Sequence, residues 1–208
     1  MSIPILVFGA SGTGKSYAMR NFKRGEVAVI NVLGKPFPFA EPLEKAVTRD
    51  VSQIERAIFN DNTHGVIVVD DFGYTITDIY MRGTRGAEKK TNKYEIYTDI
   101  AGIVYDFINR INADGNSDRI IFLTMHDDVD AAGNVIPATI GKLLNEKINL
   151  LGMFALVMTS ETNGEDYWFN VHRAPAKTPP GMFEENEQPN DYAMIVARIR
   201  EFYGIGAL

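Results

Sequence analysis

Eight consecutive residues, Gly9-Ala10-Ser11-Gly12-Thr13-Gly14-Lys15-Ser16, fit the pattern G-x-x-x-x-G-K-[ST] at every position. The glycines let a loop wind back so that its backbone N–H groups point at phosphate oxygens, and the positive N-terminus of a following helix adds to the attraction. In such a loop Lys15 reaches the β- and γ-phosphates, Ser16 ligates Mg²⁺, and Tyr17 follows as a further contact. Average residue frequencies produce the full pattern by chance in roughly one chain of this length in a hundred. Here it also stands between an apolar strand pattern and a helical one, the context that the chemistry requires. The expected ligands are a nucleoside triphosphate, ATP, with Mg²⁺.

A second group of chemical residues closes an apolar run, Val66-Ile67-Val68-Val69-Asp70-Asp71. A carboxylate at such a strand end holds the metal shell in P-loop proteins, and Asp70 is the candidate. Asp71 is the candidate to polarise the attacking water. Either acid could instead cap the helix that follows. A catalytic acid at the end of the strand after the first helix is common in recombinase-type ATPases. That segment reads Asn31-Val32-Leu33-Gly34-Lys35 and has none, which leaves the general base open, with Glu95 as a reserve.

Thr124 and His126 end another apolar run, Ile120 to Met125. In one large branch of P-loop ATPases an extra strand lies between the loop strand and the acidic strand, and its polar end senses the γ-phosphate. His126 fits that place; a histidine satisfied by backbone is the alternative. Arg173 and Lys177 are cations at a late strand exit, suited to neutralising γ-phosphate charge in the same or a neighbouring subunit, or simply solvated. Arg82, Arg85, Lys89, Lys90 and Lys93 crowd one segment between Tyr80 and Tyr94. Cations interleaved with aromatics suit single-stranded DNA, and a solvated surface loop is the competing reading.

These residues need a scaffold. Apolar runs at Ile3–Phe8, Val27–Leu33, Gly65–Asp71 and Arg119–His126 read as buried strands. Helical patterns are expected over Gly14–Phe22, Asp50–Asn60, Ile96–Ile111, Ala138–Ile148 and Asp191–Tyr203. Ser52 and Glu55 form a capping-box pattern, with Asp50 as the alternative cap. Leu151–Ser160 and Tyr167–His172 flank the turn signal Asn163-Gly164 and read as a hairpin. Arg82–Lys93 reads as a mobile loop and Ala174–Pro189 as a proline-rich one. Apolar strands alternating with helices predict an α/β fold with a mostly parallel sheet, a C-terminal β-hairpin and a final helix, over one domain spanning 1–208.

Composition narrows the partners. A formal net charge of −6 argues against coating nucleic acid by charge alone. The absence of cysteine rules out disulfides and thiolate metal sites. No apolar run approaches the ~20 residues of a membrane span, so a soluble cytoplasmic protein with no membrane partner is expected.

The succession of the loop at Gly9–Ser16, the acidic strand Val66–Asp71, Phe122-Leu123-Thr124-Met125-His126, Leu143–Lys147 and Arg173–Thr178 resembles the small phage-encoded RecA-like nucleotide-binding proteins, some of which act in single-strand annealing and recombination. The resemblance covers roughly residues 1 to 185. It implies a RecA-like core, ATP, Mg²⁺, a homo-oligomer and single-stranded DNA, with Arg173 and Lys177 as cations of a subunit-bridging site. A DNA-stimulated ATPase is the leading expectation. A nucleotide kinase, with Arg82–Lys93 as its lid, and an ATP-dependent switch or packaging module are the alternatives.

Overall fold

The fold is described from a computed structural model of the chain, covering residues 2–85, 92–115 and 118–206. The apolar run after the N-terminus forms β1 (Ile3–Phe8), all six of its residues buried. The chain then passes the glycine-rich loop and enters β2 (Ala28–Asn31), the short β3 (Lys45–Ala46), α1 (Val51–Phe59) and β4 (Val66–Asp70). Two helices follow, α2 (Gly73–Arg85) and α3 (Lys93–Ala113), then β5 (Ile120–Met125). A two-stranded ribbon, β6 (Asp127–Val129) and β7 (Val135–Pro137), leads to β8 (Leu156–Thr162) and β9 (Tyr167–Asn170). β10 (Glu187–Pro189) and α4 (Tyr192–Tyr203) complete the chain.

The main sheet has eight strands in the order β10-β9-β8-β1-β5-β4-β2-β3. The pairings from β8 through β3 are all parallel, and only β8-β9 and β9-β10 are antiparallel. This is the expected mostly parallel α/β sheet. β5 is inserted between the loop strand β1 and the acidic strand β4, the arrangement expected of the polar-ended strand.

Both faces of the sheet are covered, which is why its strands are apolar throughout. On one face Leu6, Phe8 and Val69 pack with Ile54 of α1 and Ile100, Val104 and Phe107 of α3. On the other, Ile5, Val7, Val68 and Phe122 pack with Met19 and with Tyr192, Ile195 and Ile199 of α4. Tyr192 is stacked between Phe122 and Phe169, with ring centroids 4.5 and 5.4 Å away. Among the described residues, no helix is long and apolar enough to cross a membrane.

Several expected elements are corrected. The helix over Gly14–Phe22 is only a 3₁₀ turn at Tyr17–Met19. Its end is tied outward instead of continuing: Arg20 Nη1 donates to Asn190 O (2.5 Å) and Asn21 Nδ2 to Asp191 Oδ2 (2.6 Å). The helix over Ala138–Ile148 shrinks to a π turn at Leu144–Ile148. Gly141 breaks it, with φ +81° and the Tyr97 ring so close that a Cβ would lie 2.6 Å from it. The cap of α1 is Asp50, which accepts the N–H groups of Ser52 and Gln53, while Glu55 pairs with Arg110. The Arg82–Lys93 loop is corrected in its first part: Arg82 and Arg85 lie on the last turn of α2, where Gly83 packs against Ile96 of α3. Lys89 and Lys90 lie outside the described residues, and Lys93 opens α3. Asp127 and Asp128 pair with Pro137 and Ile136 in the β6-β7 ribbon.

Candidate functional site

The glycine loop leaves β1 at the carboxyl end of the sheet, beside the ends of β5 and β8. Ligands of open α/β sheets bind in the crevice at that end. Gly9 lies so close to β8 that a Cβ there would collide with the carbonyl oxygen of Ser160. The Ser160 hydroxyl also donates to Thr13 O (2.5 Å), so β8 holds the loop at two points. Within the loop, Thr13 Oγ1 donates to Ala10 O (2.9 Å). Gly14 takes φ +88°, and a Cβ on it would lie 3.0 Å from both Asn190 and Tyr167. The curled backbone is thus fixed by contacts on both flanks.

Lys15 is buried, and its ammonium donates to Gly9 O (2.6 Å) and Ala10 O (2.7 Å). Burial lowers its pKa, and the charges of Asp71, Asp127 and Asp70 act against that shift. The cation therefore sits within the loop, facing a group of acids.

Ser16 and Asp70 are brought together. The Ser16 hydroxyl lies 3.0 and 2.9 Å from the two Asp70 carboxylate oxygens. Asp70 is 3% exposed; burial pushes its pKa up, with the neighbouring Asp71 charge adding to the rise and hydrogen bonds from Ser16 and Thr124 opposing it. Among the described residues no group of three or more His, Asp or Glu is arranged to hold a metal by itself. Two hard oxygen donors at a phosphate loop fit Mg²⁺, and Ser16 and Asp70 would hold such an ion beside the phosphates.

Asp71 has a left-handed backbone, φ +66°, which Asp tolerates better than most residues. The turn sends its carboxylate in a different direction from that of Asp70. Thr124 at the end of β5 fixes both acids with one hydroxyl, which accepts the Asp71 N–H (2.8 Å) and donates to Asp70 Oδ1 (3.0 Å). The Asp71 carboxylate lies 3.1 Å from Lys35 Nζ and 3.8 Å from His126 Nε2. His126 stands edge-on to Tyr74, with ring centroids 5.9 Å apart. Burial and the Lys15 charge lower its pKa, which favours the neutral imidazole.

These groups line a cleft of about 750 Å³. Ser11, Gly12, Gly14, Lys15, Ser16 and Tyr17 form its floor, and Asp70, Asp71 and His126 one wall. Sequence reasoning missed Lys35, Arg20, Tyr167 and Asn190, which also face it. Lys35 had a signal, since it follows a strand that pairs beside β4, but strand order is not written in the sequence. Tyr167 and Asn190 come from segments more than 150 positions away from the loop.

Other expected residues lie elsewhere. Arg173 forms a two-pronged ion pair with Glu161 (2.9 and 2.7 Å) and is exposed, away from the cleft of its own chain. Lys177 is exposed, its ammonium 3.4 Å from Gly152 O. Arg82 is paired with Asp78 (2.6 Å) and Asp50 (3.2 Å). Arg85 is exposed on the same helix. Glu95, in the first turn of α3, does not line the cleft.

No family model matches the chain, and no curated protein matches it. Among solved structures it is similar to the ATPase domain of another protein, with 8% identity over 86% of this chain and 78% of that one, at a TM-score of 0.45.

Proposed function

We propose that the protein binds Mg-ATP at Gly9–Tyr17 and hydrolyses it to ADP and phosphate. The observation that carries this reading is the contact of Ser16 with Asp70 beneath a complete phosphate loop, with Asp71 turned separately toward the cleft. Backbone N–H groups of the loop and Lys15 hold the phosphates, and Ser16 and Asp70 hold Mg²⁺. The metal supplies charge neutralisation on the phosphate oxygens. Asp71 orients the water and accepts its proton as the water oxygen bonds to the γ-phosphorus, and the bond to the β–γ bridging oxygen breaks. Lys35 and neutral His126 flank Asp71, and His126 contacts the γ-phosphoryl oxygens.

This reading accounts for the missing acid after β2. The position carries Asn31, whose side chain bonds Lys35 O and the Gly34 N–H and so fixes the turn that presents Lys35. A neutral amide stands where recombinase-type ATPases have an acid, the turn beyond it brings Lys35 to Asp71, and the base role falls to Asp71. Arg173 and Lys177, exposed outside the cleft of their own chain, act in a neighbouring copy of a homo-oligomer. Single-stranded DNA is the proposed partner, held by Arg82, Arg85, Lys89, Lys90 and Lys93 beside Tyr94, which is 76% exposed.

The test is phosphate release from ATP with and without single-stranded DNA, for the wild-type chain, Lys15→Ala and Asp71→Asn. DNA-stimulated turnover, lost in Lys15→Ala and reduced at least about 100-fold in Asp71→Asn, is expected. Full turnover in Asp71→Asn would remove the assigned base. An Arg85/Lys89/Lys90→Ala variant with unchanged DNA affinity would remove the DNA surface.

A further inference from the structure

Both parts of the cleft carry mixed charge. Lys15 and Lys35 stand with Asp70 and Asp71, and Arg20 beside Tyr17 shares the cleft with Glu165 and Asp166 of the β8-β9 turn. A triphosphate seated on Lys15, with its metal at Ser16 and Asp70, leaves the part beside Tyr17 and the hairpin for the remainder of the ligand. That end offers flat apolar surface. Tyr17 and Tyr167 are 37% and 38% exposed, with ring centroids 6.2 Å apart, and Arg20 lies 4.2 Å from the Tyr17 ring centre on the loop side of the hairpin.

It also offers a polar group without a partner. Asn190 is 3% exposed and lines the cleft against Gly14. Its Nδ2 has no hydrogen-bond partner among the described residues, and its Oδ1 receives only a 3.5 Å contact from Arg20 Nη1. A buried amide donor left unpaired is costly, so such a group beside a cleft is explained by a ligand that supplies the acceptor.

We propose that Tyr17, Tyr167 and Asn190 form a nucleobase subsite that selects adenine. The subsite rests on the Mg-ATP reading of the phosphate loop. The base stacks on the Tyr167 ring, with the Tyr17 ring, tilted 53° from it, against the edge of the base, and the Asn190 carboxamide pairs with its amino and ring-nitrogen edge. A carboxamide can pair with adenine twice, donating to N7 and accepting from the N6 amino group. Guanine presents two acceptors, O6 and N7, on the same edge and can satisfy only the donor. Glu165 and Asp166 could accept from guanine, but both are exposed and compete with water, whereas Asn190 is buried.

The experiment is calorimetric titration of the full-length chain with ATP, GTP and inorganic tripolyphosphate, each with Mg²⁺. It is run for wild type, Tyr167→Ala and the isosteric Asn190→Asp. ATP is expected to bind about tenfold more tightly than GTP, the worth of one hydrogen bond at a buried site. Tyr167→Ala, on the exposed hairpin, should weaken ATP about tenfold through lost stacking and leave tripolyphosphate unchanged. Asn190→Asp should abolish the preference for ATP over GTP. Equal binding of ATP, GTP and tripolyphosphate would overturn the base subsite while leaving the phosphate loop intact. A preference for GTP would overturn the adenine assignment. Binding of none of the three would overturn the phosphate-loop reading, and the subsite with it.

Discussion

One hydroxyl group, that of Thr124, touches both acids of the site, donating to Asp70 and accepting from the Asp71 backbone. Replacing it with the isosteric valine removes both bonds and leaves a buried N–H and a buried carboxylate oxygen short of a partner. Thr124→Val should therefore lose about 1–3 kcal/mol of stability in urea denaturation. Its turnover should fall at least about tenfold, because Asp70 keeps only its Ser16 contact and the backbone turn that aims Asp71 loses its anchor. Thr124→Ser keeps the hydroxyl and should recover most of both losses. A valine variant with wild-type turnover would show that the two acids are positioned by other means. At this scale much of the site was legible in the sequence. The loop residues, Asp70, Asp71 and His126 were named from their spacing, and all but Gly9, Ala10 and Thr13 line one cleft. What the sequence hid was which distant side chains meet them. Asn190 and Tyr167 join the loop only because β8 pairs beside β1, and no local pattern records that pairing.

At the scale of elements, the long apolar strands and helices were readable because each buries a continuous face. The short ones were not. β3 and β10 have two and three residues, too few for a period, and the β6 and β7 strands of the ribbon have three residues each. Its available signal was the turn, where Asp130 accepts the N–H groups of Ala132 and Asn134. The helix α2 was mistaken in part for a loop because its arginines and glycine look like a flexible segment. Tertiary partners explain each of them, with Arg82 bound by two carboxylates and Gly83 packed on Ile96. Asp50 links two of these elements, since it caps α1 and also holds Arg82 of α2. Asp50→Ala should cost about 1 kcal/mol of stability through the lost cap. On the proposed DNA surface the same change releases one restraint on Arg82. DNA affinity, measured by fluorescence anisotropy, should rise while ATP turnover without DNA stays unchanged. A fall in affinity would show that Arg82 is not a DNA contact.

Over the whole molecule, stability should respond to acid in two stages. His126 has its pKa lowered from 6.5 by burial and by Lys15, so the unfolded chain takes up a proton at higher pH than the folded one. Its contribution is complete above pH 6.5 and is lost as the pH falls below that value. Asp50 is drawn from 3.8 down to about 2, chiefly by its hydrogen bond with Ser52. At Asp61 burial acts upward, but the N–H groups of Thr63 and His64 and the His64 side chain outweigh it, and the carboxyl also settles at about 2. For both, the stabilisation is present above pH 3.8 and disappears as the pH falls through about 2. Urea midpoints measured from pH 8 to pH 2 should show a shallow decline beginning near 6.5 and a further one below 3.8. His126→Gln should flatten the first stage and leave the second. An unchanged first stage in that variant would assign it to another group.

The grip of β8 on the phosphate loop has a consequence for cutting the chain. Every residue of the nucleotide motifs named first, from Gly9 to His126, lies in the first 126 positions, and a fragment ending there would carry all of them. Such a fragment would lack Ser160, whose hydroxyl and carbonyl brace Thr13 and Gly9, and would expose the edge of β1 that pairs with β8. Possession of the motif and possession of its shape are therefore separable here. The phosphate-loop motifs are written in the first 126 positions, and the contacts that brace the loop are written in the remainder.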